Sequence, residues 1–232
     1  MKKILLVFLL FFYFANAQNL KVAAGAGYKK PLVKIIKLYE KQTNSKIDSF
    51  YGNLRQVSTQ AKNMDLQLVI GDKNFLKTKS GVDFKKYITI GKGKAVLAYT
   101  KDIDSIEDLL SNKIKRIAIP APQKAIYGIA SMQILKNSKL LNKIKNKLLI
   151  VATVPQVSTY LITNEVDAGI INLTSALANK SKFKGYILID DNLYSKIDIV
   201  AAITKNCNKK CKSFLQFLKS EKAKTIFKNY GL

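Results

Sequence analysis

The sequence predicts an α/β protein of two lobes with a ligand cleft between them. Three observations carry that prediction. Short apolar runs of strand length alternate with segments of helical spacing, the pattern of layered α/β folds. This rhythm breaks and restarts near Tyr99 and again near Ala201, with no Gly/Ser linker at either point. One lobe is therefore expected to be inserted in the other through paired crossing strands, with residues 18–98 and 202–232 in lobe 1 and 99–201 in lobe 2. Finally, four turns of the strand-to-helix type, at 25–30, 52–54, 124–128 and 154–156, divide evenly between the lobes.

Residues 1–17 stand apart. Lys2 and Lys3 precede an apolar run from Ile4 to Phe14, which ends in Ala15-Asn16-Ala17. A charged start, an apolar stretch too short to span a membrane easily and a small-x-small site predict a secretory signal peptide cut before Gln18. The mature chain is then expected in the periplasm, with no Cys at the cut for lipid attachment.

The first strand is read over 20–24. A helix over 32–42 follows, with Leu32, Ile35, Ile36 and Tyr39 on one face and Pro31 at the first helical position. A second strand covers 46–51, and Asn53 is a fitting N-cap for a helix over 54–62. The continuous apolar run at 66–70 reads as a buried parallel strand ending before Gly71-Asp72. In the second half, strands are expected at 94–100, 116–119, 148–153, 167–172 and 186–189. Helices are expected at 105–110, from about 126 to 135, from 154 onward and from 173. A strand at 197–203 and a single terminal helix over 214–230 complete the chain.

Composition removes several function classes. There is no His, so the usual general base and the commonest metal ligand are missing. A secreted hydrolase would need Ser58, Ser131 or Ser158 activated without it, and no cofactor or metal cation is expected. Forty basic residues against 15 acidic give +25, and loss of Lys2 and Lys3 leaves +23. Nearly all of this is Lys, scattered along the chain without interleaved aromatics, so a nucleic-acid surface is not indicated. A basic envelope-associated adhesion protein is the alternative that charge alone suggests. Cys207 and Cys211 lie four apart and are candidates for a local disulfide in an oxidising compartment.

The four turns matter because a helix start exposes backbone N–H groups and the positive end of the helix dipole, which together favour an anion. In open α/β sheets ligands sit beyond the carboxyl ends of strands at such points.

Several segments then come in a specific order: AAGAGYKKPLVKIIKLYEKQT, FYGNLRQVSTQA, LVIGD, AIYGIASMQIL, NEVDAGIINLTSA and AKTIFKNYGL. With these pieces the chain resembles the periplasmic molybdate/tungstate-binding proteins of ABC transporters, over essentially all of residues 20–232. The resemblance implies a two-lobed periplasmic solute-binding fold (type II) with two hinge-crossing strands. It further implies no catalysis, a tetrahedral oxyanion as ligand, a membrane permease as partner and a monomeric state. A different anion, an anionic metal complex or a small organic acid is the alternative ligand.

By that resemblance the family's hydroxyl donors fall at Gly27, at Asn53-Leu54 and at Asn172, while its backbone donors fall at Tyr127 and Val154. The hydroxyls are lost, and backbone N–H groups survive any such change. Asn53 and Asn172 have amide donors that could substitute, or they could simply cap helices. Arg55 could grip an oxyanion with its guanidinium or point to solvent. Tyr28 and Tyr127 are read as packing residues or as phenolic donors, and Gly128 belongs to the third turn. Lys29, Lys30 and Lys124 are expected to steer anions without touching them, and Asp72 and Asp167 to be structural.

Overall fold

A computed structural model describes residues 18–232; the leader expected over 1–17 lies outside them. The chain runs β1 (Leu20–Gly25), α1 (Lys29–Thr43), β2 (Ile47–Gly52), α2 (Leu54–Asn63), β3 (Leu68–Asp72), α3 (Lys73–Thr78) and β4 (Lys86–Gly93). It continues through β5 (Ala95–Tyr99), β6 (Ile117–Pro120), α4 (Ile126–Asn137), α5 (Leu141–Ile144), β7 (Leu148–Val151) and α6 (Val154–Ile162). Last come β8 (Ala168–Asn172), α7 (Leu173–Ala178), β9 (Gly185–Leu188), β10 (Ile197–Ile203), α8 (Lys209–Leu218) and α9 (Glu221–Asn229).

Two five-stranded sheets result, ordered β2-β1-β3-β10-β4 and β7-β6-β8-β5-β9. In the first, β1 pairs in parallel with β2 and β3, and β10 runs antiparallel to both β3 and β4. The second repeats this plan: β6 is parallel to β7 and β8, and β5 is antiparallel to β8 and β9. Parallel neighbours require crossover helices, which cover the sheet faces.

Strand alternation sends side chains to both faces of the first sheet. Val22 and Ala24 of β1, Leu68 and Ile70 of β3 and Ile199 and Ala201 of β10 join the core under α1 and α8. Ala23, Val69, Val200 and Ala202 point the other way, onto Leu54 and Val57 of α2 and Phe75 and Leu76 of α3. Tyr39 of α1 packs between Phe214 and Phe217 of α8, with ring centroids 5.1 and 5.4 Å away. Asp167 accepts from the backbone of Lys115 and Arg116, a structural role as expected.

Sheet membership moves the lobe boundaries. The first crossing falls at Lys94, between β4 and β5, and not at 98/99; the second falls between β9 and β10, before 197 and not at 201/202. Residues 95–99 and 197–203 look alike as apolar runs, but each pairs with neighbours of a single sheet along its whole length. Tyr194 straps the two crossings together: its hydroxyl accepts from the Ala95 N–H at 3.0 Å and donates to Asp191 at 2.8 Å. Burial, with Asp191 beside it, pushes that phenol up to about 12.

Other elements differ from expectation as well, and strand β4 and helices α3 and α5 were not expected at all. The terminal helix is two helices, because Ser220 stops α8 and caps α9 through the Ala223 N–H. The third strand reaches Asp72, whose side chain then caps α3 at the Phe75 N–H (2.7 Å). Helix α1 begins at Lys29, so Pro31 lies at its third position, still within the turn whose N–H groups have no helical acceptor. Cys207 and Cys211 are joined in a disulfide that closes the entrance to α8. No helix among the described residues is long and apolar enough to cross a membrane.

Candidate functional site

All four turns face one hollow between the lobes. It is lined by Gly25, Ala26, Gly27 and Tyr28 after β1, by Gly52, Asn53 and Leu54 after β2, and by Asp72 after β3. Lobe 2 supplies Ala125, Ile126 and Tyr127 at the start of α4, and Thr153 and Val154 at the start of α6. The hollow measures about 30 Å³; a single water needs about 10–15 Å³ on this measure, so the space suits a small, compact solute.

Backbone geometry sets its polarity. Leu54, Ile126, Tyr127 and Val154 occupy the first positions of α2, α4 and α6, where an N–H has no acceptor within its own helix. Helices α1 and α4 carry no side-chain cap at all. Helix α2 has a full capping box: Asn53 accepts from the Gln56 N–H at 3.0 Å, and Gln56 accepts from the Asn53 N–H at 2.9 Å. Thr153 caps α6 through the Gln156 N–H, and Gln156 accepts from the N–H of Ala152, one residue before the cap. Four helix starts therefore direct positive dipole ends at one point.

Two phenols meet across the cleft. The Tyr28 and Tyr127 hydroxyls are 2.9 Å apart, both side chains buried, one from each lobe. Burial raises both above the usual phenol range, so both are neutral near pH 7. Among the described residues, Asp72 is the single acidic one in the wall. Burial raises its carboxyl, with partial relief from the Phe75 N–H.

Of the residues expected to bind ligand, Gly27, Tyr28, Asn53, Leu54, Tyr127 and Val154 line the hollow; Gly128, Asn172 and Arg55 do not. Gly128 is buried within the first turn of α4, and a side chain there would run into the Pro120 and Ala121 carbonyls, so it serves the approach of α4 to β6. Asn172 is fully buried beneath the hollow. Its Oδ1 accepts from the Ser175 N–H as the cap of α7, and its Nδ2 donates to the Gly27 carbonyl in the other lobe at 3.2 Å. Arg55 is exposed on the first turn of α2 and points into a wider crevice at the cleft mouth. Lys30 does touch the partner lobe, donating to the Ala178 carbonyl and to Asn179 Oδ1.

Sequence reasoning missed Thr153, Ile126 and Ala125 as lining residues. Thr153-x-x-Gln156 is a capping-box spacing, which would have placed Thr153 at the helix mouth. Asp72 follows a strand end just as the other turn residues do, and only its charge argued against a place in the wall.

A two-lobed α/β molecule, crossed twice by its chain and presenting helix starts from both halves to a shared hollow, is a solute-binding protein by its architecture. The chain belongs to the family described as bacterial extracellular solute-binding protein, which it matches over residues 20–232. It is similar to the molybdate-binding protein ModA of Azotobacter vinelandii, with 26% identity over 230 residues, 94% of this chain and 90% of that one. The solved periplasmic molybdate-binding protein of Azotobacter vinelandii superposes with a TM-score of 0.82 at 25% identity, covering 92% of this chain and 98% of that one. The fold is also that of PEB3 solved with L-phospholactate bound, at a TM-score of 0.74 and 19% identity over 92% and 98% of the two chains.

Proposed function

We propose that this protein captures a compact tetrahedral oxyanion outside the cytoplasm, molybdate or tungstate first among them, and hands it to the permease of an ABC transporter. The observation that carries this reading is the convergence of four strand-to-helix turns, two from each lobe, on one small hollow. The similarity to molybdate-binding relatives supports the choice of anion.

The anion would sit among the N–H groups of Leu54, Tyr127 and Val154 and the backbone of Gly27 and Tyr28. These donors are held ready by helix geometry, and the surrounding walls exclude water, so each hydrogen bond is worth more than in solution. Asn53 contributes through its side-chain Nδ2, since its Oδ1 and its backbone N–H are both committed to the capping box with Gln56. The Tyr28–Tyr127, Asn172–Gly27 and Lys30–Ala178 contacts hold the lobes together over the ligand, and separating them opens the cleft. A net charge of +23 on the processed chain raises the encounter rate with any anion. The protein acts as a monomer in the periplasm, with its leader removed.

Titration calorimetry with molybdate, tungstate, sulfate and phosphate tests the reading. Molybdate or tungstate should give saturable heat at one site per chain. Absence of heat with both would defeat the choice of anion, and absence with all four would defeat the oxyanion reading.

A further inference from the structure

Beside the hollow, and sharing Gly52 and Asn53 with it, a wider crevice of about 500 Å³ opens at the cleft mouth. Both lobes build it: Tyr51, Arg55 and Gln60 face Lys124 and Ala152. Among the described residues, no Asp or Glu lines it. Arg55 and Lys124 are exposed, and neither takes part in an ion pair among the described residues. Outside the lining, the Lys29 ammonium lies 5.6 Å from the centroid of the Tyr51 ring. Gln60 brings a buried Oε1 with no hydrogen-bond partner among the described residues. An amide in that state is an open polar contact, and turned over it offers N–H donors instead.

Like charges carried by opposite lobes into one crevice oppose closure. An anion between them reverses the sign of that effect. A guanidinium suits a carboxylate because its planar fork makes two parallel, charge-assisted hydrogen bonds, and an ammonium adds a point charge beside it. The crevice is far larger than the hollow, so the group it takes can be part of an organic ligand.

We propose that the crevice is a second anion subsite, which takes the carboxylate arm of a small organic acid whose compact phosphate or sulfonate head lies in the inner hollow. This rests on the reading of the hollow as an oxyanion site and enlarges its ligand class. Arg55 grips the arm from lobe 1, Lys124 approaches it from lobe 2, and Gln60 supplies an amide contact. The head and the arm are joined by a few bonds, since Asn53 borders both spaces.

The test is titration calorimetry of the processed full-length chain with matched pairs: phosphate against phosphoglycolate and sulfate against sulfoacetate, with molybdate as a reference. The two-headed compound should bind at least tenfold more tightly than its inorganic parent. Arg55→Ala and Lys124→Ala should each remove threefold or more of that advantage, Arg55→Lys should keep part of it, and the inorganic affinities, molybdate included, should stay within twofold. Both positions are exposed, and matching thermal melts will show that the variants fold. The proposal is overturned if the second head brings no gain, or if the gain survives the double replacement. Binding of molybdate or another inorganic anion without such a gain overturns the subsite alone, whereas no anion binding of any kind overturns the oxyanion site with it.

Discussion

Asn172 fills the space that a side chain at residue 27 would need. Its Nδ2 lies 3.2 Å from the Gly27 carbonyl oxygen, and a Cβ built on Gly27 would stand 2.9 Å from that same nitrogen. The two positions are one unit: the amide from lobe 2 reaches the turn of lobe 1 because the turn has no side chain. The resemblance to oxyanion receptors placed a serine at one and a tyrosine at the other, and the two departures are coupled.

Gly27→Ala should therefore destabilise the protein by about 1–3 kcal/mol through overpacking against a side chain that cannot retreat. Asn172→Ala removes the interlobe bond and the cap of α7 together. The double variant should be less damaged than the sum of the two, by 0.5 kcal/mol or more, as expected for residues in contact. Denaturant unfolding of the four proteins measures this, and strict additivity would show that the two do not share a space.

The Tyr28–Tyr127 pair makes a related prediction about lobe closure. Replacing either with Phe leaves one buried hydroxyl without its partner, at a cost of about 1–3 kcal/mol. Replacing both removes the orphan and should recover much of that loss. Each single variant should also bind anions more weakly, because the closed arrangement is where the two rings meet. A double variant as unstable as the sum of the singles would contradict the pairing.

Asp72 gives a pH dependence with a definite sign. Its carboxyl is raised in the folded chain, chiefly by burial, so the folded state holds the proton more tightly than the unfolded state. The associated stability is complete below the ordinary Asp range and is lost as pH rises through the folded value. Asp72→Asn keeps a good capping residue and removes this loss, so its stability relative to the parent should rise as pH climbs above the ordinary Asp range. The same change takes a negative charge out of the wall of the hollow and should tighten anion binding at neutral pH. Melting curves across pH and calorimetry check the two halves independently.

The disulfide at the entrance to α8 closes a short loop, and the chain-entropy estimate for such a loop is about 2 kcal/mol. Cys207→Ser with Cys211→Ser should lower stability by that order and leave anion affinity unchanged, since neither residue lines the hollow. Any shift in affinity would tie α8 to the cleft in a way its position does not suggest.

How much of this could be read beforehand follows from what each residue answers to. Strands β3 and β8 were legible because both of their faces are buried, leaving unbroken apolar runs bounded by turns. Strand β4 was not: it is an edge strand of exposed and half-exposed positions, with two glycines and three lysines from Lys86 to Lys94. The break at Lys219-Ser220 was hidden because Phe214, Leu218 and Phe227 keep apolar spacing across it, and the cap at Ser220 is a local competitor that periodicity does not weigh. At the site, the turns were legible through Gly, Asn and Pro, whose backbone preferences are local. Asn172 and Gly128 were misplaced because their roles are set by what approaches from elsewhere: the Gly27 carbonyl in one case, the Pro120 and Ala121 carbonyls in the other.

Asn53 allows capping and binding to be separated. Its Oδ1 holds the Gln56 N–H at 3.0 Å and its N–H is held by Gln56, while the residue borders the hollow. Asn53→Ala loses the cap and should cost about 1 kcal/mol of stability. Asn53→Asp keeps the accepting oxygen, and a negative charge at a helix start is itself favourable by about 0.3–1 kcal/mol. Its stability should therefore equal or exceed that of the parent. Yet the new carboxylate stands beside the space assigned to an anion, so molybdate affinity should fall by tenfold or more, and the fall should shrink at high salt if part of it acts through solvent. A stable Asn53→Asp variant that binds molybdate as tightly as the parent would place the anion away from the start of α2, and with it the whole arrangement of donors from lobe 1.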